Sequence, residues 1–232
     1  MFYVFWFVFA TQALFASDNS LVVVYGSSCA GKSSLTKAVT KALGDPWVSI
    51  DIDDVVEREK ERAIVAAADI DEMADQLFCV EVQQAHASGH KVVADVHSPE
   101  HILDVFAGYN PVLVYVYAPL AAIVERDVKR THAFSRSAKR QLWARGWVYN
   151  SYANLLTLSP EGAYGAIDVL SQEDLPGDLF SVHLHEHAQG VFEQVRGVDA
   201  PVQLFSRFPF DVLVKSAEAT LEQSVEAVVG AA

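Results

Sequence analysis

The chain contains 232 residues, 51% of them hydrophobic, and its 30 acidic and 17 basic side chains give a formal net charge of -13. This length suits one α/β domain with a substantial core and an inserted lid. The acidic balance would repel a phosphate backbone, so general nucleic-acid binding is excluded as an expected function.

A hydrophobic leader rich in aromatic side chains occupies residues 1–16. It is short for a membrane span, and it is similar to a signal-peptide core ending near Ala16 except that no Lys or Arg precedes it. Three interpretations remain open: export, a membrane-associated end, or a start codon placed too far upstream. We expect residues 17–232 to form a single cytoplasmic domain, with export as the alternative and membrane contact only if the leader is retained.

The stretch GSSCAGKS at residues 26–33 fits the phosphate-binding pattern G-x-x-x-x-G-K-[ST]. An apolar run at 21–25 precedes it and a helical pattern at 34–44 follows, which is the strand, loop and helix order of a P-loop. The glycines permit backbone conformations in which amide groups turn toward an anion. We therefore expect this loop to bind ATP through Gly26, Ser27, Ser28, Cys29, Ala30, Gly31, Lys32, Ser33 and Ser34.

Two side chains of the loop have specific predicted roles. Lys32 would reach the β- and γ-phosphates, and the hydroxyl of Ser33 would lie on Mg²⁺. A glycine turn before an ordinary helix would leave the Lys-Ser pair at the helix start without a purpose. The sequence therefore predicts ATP and Mg²⁺ as cofactors.

Three aspartates follow the second predicted strand, which covers 47–50. Carboxylates at the carboxyl end of a strand in an open parallel sheet lie where ligands bind. Asp51, Asp53 and Asp54 compete as the base that accepts a proton from an attacking hydroxyl. An extended chain would place Asp51 and Asp53 on one face, while Asp54 would begin a helix and cap it. The spacing of Asp53 and its position at the strand end favour it as the base.

The middle of the chain alternates helical patterns at 55–68 and 71–88 with nearly continuous apolar strands at 91–96 and 111–117. Such strands indicate a parallel sheet covered on both faces, hence a three-layer α/β/α fold. Asp95 ends one of these strands. It is predicted to hold Mg²⁺ through water or to orient Ser33, and both roles place it in the site.

The chain as a whole has a negative net charge, but a stretch rich in positively charged side chains follows a predicted helix at 120–130. We expect a lid over phosphates at about 126–150, with a solvated helix face as the alternative. Arg126 and Arg130, four residues apart, would share one helix face. Arg130 is the predicted catalytic cation, and Arg126 and Arg136 are predicted to contact the nucleotide. The positively charged residues of this basic stretch are Arg126, Lys129, Arg130, Arg136, Lys139, Arg140 and Arg145.

The signals weaken between 150 and 206, where Pro and Gly indicate loops between short helices. A last strand is predicted at 208–214 and a closing helix at 217–229. Aromatic side chains near the start of this part have mixed spacing, so core packing is expected, with a substrate-binding wall as the alternative. They are Trp143, Trp147, Tyr149 and Tyr152.

The histidines and cysteines give weak signals. His97 follows the strand that ends in Asp95, and an ordinary surface position is favoured over contact with a substrate. His183, His185 and His187 alternate as ligands on a strand do, but no partner ligand is identifiable, so a solvated loop is favoured over a metal site. Two unpaired thiols are expected for Cys29 and Cys79.

The loop at 26–34, its helix, the Asp45-Pro46-Trp47 turn and the strand leading to Asp53 together resemble the chloramphenicol phosphotransferase-like family of P-loop kinases. The likeness is looser at 92–96, at the start of the lid and at 210–212, and it covers about residues 20–145 and 208–230. An added segment at about 146–206 lies outside it. The resemblance implies a nucleotide-kinase-like fold, transfer of the γ-phosphoryl group of ATP to a hydroxyl of a small molecule, and Asp53 as the catalytic base.

Two other functions remain open. One is a related kinase whose acceptor is a nucleotide sugar, as for zeta-type toxins, a nucleoside or a protein. The other is a nucleotide-binding switch that hydrolyses ATP slowly and signals through the added segment. The strand-end Asp53 and the basic lid favour an enzyme over the nucleotide-binding switch.

Overall fold

The computed structural model describes residues 19–62, 67–97, 99–134, 138–175, 177 and 183–232, with the backbone alone at 59–62, 67–72, 100–101, 131–134 and 138–145. The strands are β1 Leu21–Gly26, β2 Trp47–Asp51, β3 Lys91–Asp95, β4 Val112–Tyr117, β5 Leu156–Thr157, β6 Gly165–Leu170, β7 Val202–Ser206 and β8 Val212–Lys215. The α-helices are α1 Lys32–Leu43, α2 Ile52–Arg62, α3 Ala67–Ala87, α4 Glu100–Phe106, α5 Leu120–Phe134, α6 Ala138–Asn154, α7 Glu186–Arg196 and α8 Leu221–Val229.

The main sheet has five parallel strands in the order β2-β3-β1-β4-β8. Its central strand β1 is buried throughout, and alternate side chains enter two different apolar clusters. Val22 and Val24 pack with α1 and α8, whereas Leu21, Val23 and Tyr25 pack on the opposite face with residues of α2 to α7. The predicted three-layer α/β/α fold is therefore confirmed, and the apolar runs are explained by burial on both faces.

A second, antiparallel sheet is built by the added segment, with strand order β5-β7-β6. The prediction of loops between short helices was wrong for this part, where α7 is the one α-helix among the described residues between β6 and β7. The strands were missed because β5 has two residues and β6 contains a glycine and an aspartate among its apolar residues. This small sheet packs on the β1 face that carries Tyr25.

Two tyrosines of the main sheet are hydrogen-bonded to this later part of the chain. The hydroxyl of Tyr117 donates to Asp168 Oδ2 of β6 at 3.0 Å. The hydroxyl of Tyr25 donates to the carbonyl oxygen of Pro209. Because both rings are buried, these bonds satisfy polar atoms that would otherwise destabilise the core.

The structure differs from the prediction at the aspartates that follow β2. Helix α2 begins at Ile52, directly after β2, so Asp53 lies in the first helical turn and not in extended chain. The predicted shared strand face of Asp51 and Asp53 is therefore wrong.

No helix among those described combines the length and the apolar content required to cross a bilayer, and the leader lies outside the described residues.

Candidate phosphate and acceptor site

The loop between β1 and α1 has the backbone of a phosphate cradle. Gly26 has φ 154°, and a Cβ there would collide with the carbonyl oxygen of Val116 on the neighbouring strand. Cys29 at φ 60° and Gly31 at φ 107° turn the chain before α1 begins at Lys32. The predicted strand, loop and helix are confirmed, and the positive end of α1 faces the loop.

A buried cluster of charges lies directly beneath this loop. The side chain of Lys32 is 9% exposed; its Nζ donates to the carbonyl oxygen of Ser27 at 3.4 Å and lies 4.0 Å from Asp95 Oδ1. The hydroxyl of Ser33 donates to Asp95 Oδ2 at 2.8 Å. Burial raises the pKa of the Asp95 carboxyl to about 6, while nearby Lys32 and the Ser33 hydrogen bond oppose this rise.

The Ser33 and Asp95 pair fits a magnesium ion. Mg²⁺ prefers oxygen ligands, keeps several waters and is usually held by one or two protein groups together with phosphate oxygens. The structure brings together the two residues that the sequence proposed as ligands. Asp95 ends β3, Ser33 lies just beyond the loop that follows β1, and these parallel neighbours end at the same edge of the sheet.

Asp53 lies at this same edge, beside His97. The side chain of Asp53 is 64% exposed, and His97 Nε2 lies 3.1 Å from its Oδ1. The hydrogen bond from His97 is the main reason that the pKa of Asp53 is lowered; burial opposes it, and the positive charges of Lys32 and Arg130 add to it. The sequence favoured an ordinary surface position for His97, but the structure places this ring against the candidate base.

The side chain of Asp51 caps the first turn of α2. Its Oδ1 accepts the backbone N–H of Asp53 at 2.9 Å, so it satisfies an amide at the start of α2. This cap was predicted for Asp54, whose side chain is instead exposed. The structure thus leaves the Asp53 carboxylate reachable at the carboxyl edge of the sheet.

Arg126 of α5 holds the P-loop backbone. Its Nη1 donates to the carbonyl oxygens of Cys29 at 3.3 Å and Ala30 at 3.0 Å and to Ser216 Oγ at 3.0 Å, and Nη2 donates to the carbonyl oxygen of Ser216 at 2.9 Å. Its contact with a phosphate stays a prediction. Arg130, one turn further on, is exposed, and Arg136 lies outside the described residues.

We expect Arg126→Ala to destabilise the nucleotide-free protein by roughly 2 to 4 kcal/mol, because carbonyl oxygens of the loop lose a charged donor. The ATP dissociation constant should also rise. Thermal unfolding and calorimetric titration measure the two effects, and Lys129→Ala, exposed on the same helix, is the matched control. An unchanged unfolding temperature for Arg126→Ala would show that this side chain does not hold the loop.

One face of α6 contacts both the P-loop and His97. Ser151 Oγ accepts the backbone N–H of Ser28 at 2.9 Å, and the Trp147 ring lies edge-on to His97 with centroids 6.4 Å apart. Trp147 and Ser151 are four residues apart, so they share a helix face. Trp147 is 47% exposed, whereas Tyr149 and Tyr152 are buried, as core packing predicts. The side chain of Trp143 lies outside those that the structure describes.

The alternating histidines lie at the start of α7: His183 precedes this helix, and His187 lies in its first turn. His185 is its N-cap residue, and the ring of His187 pairs with the carbonyl oxygen of Ala153 at 3.2 Å. In the described ranges no group of three or more His, Cys, Asp or Glu residues is arranged to hold a metal ion. Cys29 and Cys79 are both free thiols, as predicted.

Two contributors to the site were missed at the level of sequence. Ser216 follows the last parallel strand, so the same strand-end argument that found Asp95 would have indicated it. Ser151 is an isolated serine within a helix, and no local pattern distinguishes it. Its importance arises only from the packing of α6 beside the loop.

The chain is similar to known proteins in family pattern and in fold. A family described as chloramphenicol phosphotransferase-like protein matches residues 19–151. No curated protein sequence gives a significant match. Among solved structures, the chain is similar to a candidate kinase from Chloroflexus aurantiacus J-10-fl, with 11% identity, a TM-score of 0.50, and 93% of this chain and 97% of that chain covered.

Two further solved structures are more distant in shape. A gluconokinase from Sinorhizobium meliloti 1021 has 14% identity and a TM-score of 0.44, with 92% of each chain covered. A shikimate kinase from Aquifex aeolicus VF5 has 12% identity and a TM-score of 0.39, with 90% of this chain and 95% of that chain covered. The Chloroflexus protein shows a shared fold, and identities this low say nothing about the acceptor.

Proposed function

The chain belongs to the chloramphenicol phosphotransferase-like family, and from this premise we propose that it transfers the γ-phosphoryl group of ATP to a hydroxyl of a small molecule. The observation that carries the proposal is the meeting of three groups at one sheet edge: the P-loop, the pair of Ser33 with the buried Asp95, and the reachable carboxylate of Asp53. A cradle alone would suit a nucleotide switch. An exposed carboxylate beside it suits an acceptor with a proton to lose.

The proposed roles follow from the positions of the side chains. The P-loop backbone and Lys32 bind the β- and γ-phosphates, and Ser33 and Asp95 hold Mg²⁺, which when bound neutralises phosphate charge. Arg130 carries positive charge close enough to lower the pKa of Asp53, and we propose that it approaches the transferred phosphoryl group from the lid. The lid at about 126–150 and the single domain at 17–232 belong to this proposal.

In the proposed reaction a phosphoryl group passes from ATP to the acceptor hydroxyl. The acceptor oxygen attacks the γ-phosphorus and forms a new O–P bond, while the bond from this phosphorus to the bridging oxygen of ADP breaks. The hydroxyl proton passes to the carboxylate of Asp53, which is ionised at neutral pH as an ordinary aspartate is. The hydrogen bond from His97 lowers its pKa further. ADP leaves with the electrons of the broken bond.

We expect Asp53→Asn to reduce transfer by about 10²- to 10⁴-fold, because the amide cannot accept the proton. The assay incubates the protein with Mg²⁺, γ-labelled ATP and fractionated cell metabolites, with chloramphenicol and nucleotide sugars added separately, and follows the label by chromatography. Asp54→Asn is the matched control, since this neighbouring carboxylate is exposed and in the same helical turn. It should leave transfer unchanged.

Two outcomes would contradict the proposal. Label released only as free phosphate, at a rate indifferent to Asp53→Asn, would favour a nucleotide-binding switch. Label transferred to a nucleotide sugar or a protein, and not to another small molecule, would favour the kinases with larger acceptors.

A further inference from the structure

We propose that His97 is a positioning residue for Asp53: its Nε2 holds one oxygen of the carboxylate so that the other oxygen faces the acceptor hydroxyl. This inference rests on the proposed function, because it concerns the base in the proposed transfer. His97 does not itself take the proton. It acts by restricting the directions that the carboxylate can adopt.

The register of the main sheet places the two side chains together. Asp51 of β2 is directly opposite Asp95 of β3 in the parallel ladder. Asp53 and His97 each follow two residues later, where both chains leave the sheet at its carboxyl edge. The 3.1 Å approach of Nε2 to Oδ1 therefore results from strand pairing and does not depend on a chance meeting of surface side chains.

Asp53 needs such a partner because most of its side chain is exposed. Its backbone is fixed by the bond from its N–H to Asp51 Oδ1. Its carboxylate, 64% exposed, would otherwise sample several rotamers in the first turn of α2. His97 supplies the second point of attachment, and two fixed points define where the reacting oxygen lies.

The His97 ring is in turn oriented by α6. The indole of Trp147 meets this ring edge-on, at 72° between the ring planes. One turn later on the same face of α6, Ser151 holds the backbone N–H of Ser28 in the P-loop. A single helix face thus contacts both the phosphate cradle and the partner of the base, which fixes the distance between donor and acceptor sides of the reaction.

The chemistry suits this role. An imidazole Nε2–H donates to a carboxylate in both the neutral and the protonated ring. A donor on Oδ1 weakens the basicity of Asp53, as its lowered pKa indicates, yet leaves Oδ2 able to accept the hydroxyl proton. Correct alignment outweighs the lost basicity, because misplacing a reacting group by about 1 Å can cost about 10²-fold in rate.

The test compares His97→Ala, His97→Gln and His90→Ala in the full chain, with the label-transfer assay and chloramphenicol or the acceptor fraction found there as the probe. We expect His97→Ala to lower kcat by about 10- to 100-fold and to leave the KM for ATP unchanged. His97→Gln should restore most of kcat, because its side-chain amide N–H can lie near the position of Nε2. His90→Ala, a change at the opposite end of β3, should leave kcat and KM unchanged.

A second readout does not need an acceptor. In protein labelled with ¹³C at aspartate carboxyl groups, the Asp53 resonance is assigned by its loss in Asp53→Asn, and its pH titration is followed. His97→Ala should raise the pKa of Asp53 toward the usual range, although Lys32 and Arg130 still oppose this rise. His90→Ala should leave the titration unchanged.

The outcomes separate the two proposals. If the unmodified protein transfers label and Asp53→Asn does not, but His97→Ala keeps the full kcat, the positioning role is overturned and the proposed function stands. If His97→Gln is as impaired as His97→Ala, an N–H donor at this position does not restore the rate, and the inference fails. If the unmodified protein transfers no label to any acceptor, the proposed function fails, and the inference fails with it.

Discussion

Lys32→Met is expected to reduce phosphoryl transfer by at least about 10²- to 10³-fold, the cost of removing one preorganised group that stabilises transition-state charge. Methionine keeps an unbranched chain of similar length, so the change removes the ammonium and little of the packing. Lys32 is the buried cation beneath the loop, within 4.0 Å of Asp95. Its loss leaves the γ-phosphoryl oxygens without their nearest proposed positive charge.

The measurement is the label-transfer rate, together with circular dichroism to verify that the protein remains folded. Without Lys32 the buried Asp95 carboxyl should be protonated more readily, because the ammonium is the largest of the influences that lower its pKa against the effect of burial. The fold should therefore survive. Lys37→Met, on the exposed side of α1, is the matched control. A folded Lys32→Met protein with undiminished transfer would exclude the proposed cradle.

Gly26→Ala is expected to destabilise the protein by roughly 3 to 5 kcal/mol, or to displace the loop and abolish ATP binding. An alanine Cβ would collide with the carbonyl oxygen of Val116, which is backbone of the adjacent strand and cannot rotate away. The φ of 154° adds strain for any residue with a side chain. Both effects act at the point where β1 becomes the phosphate loop.

Thermal unfolding with and without ATP measures this change. Gly190→Ala in α7 is the control, because a Cβ there meets no atom within 4 Å, and it should stabilise the helix by roughly 0.5 to 1 kcal/mol. If Gly26→Ala unfolds at the temperature of the unmodified protein and binds ATP equally well, then β1 and β4 do not approach closely enough at this point to exclude a side chain.

The phosphate loop could be predicted from sequence because its signals are local. The run at 21–25 is apolar at every position since both faces of β1 are buried, and the glycines stand where the backbone needs positive φ. The Asp95 strand end was found by the same reasoning. Burial patterns and turn chemistry depend on neighbouring residues, and a single chain displays them directly.

Contacts between distant loops could not be predicted in this way. The pairing of Asp53 with His97 depends on the register of β2 and β3, and the attachment of Arg126 depends on Ser216, which lies 90 residues later. Such contacts are set by tertiary packing. The same limit explains the missed antiparallel sheet, whose short strands gain their stability from the neighbours that cover them.

The small antiparallel sheet also constrains how this protein can change over evolutionary time. Ile167, Leu170 and Leu204 lie in the same apolar cluster as Leu21 and Val23 of the central strand. This stretch begins beyond the part matched by the family pattern, and the chain must still return from it to form β8. Because its side chains are part of the core, the loss of this stretch would expose that core to water. Residues on the surface of this stretch can therefore be substituted, but the stretch as a whole is required for the domain to fold.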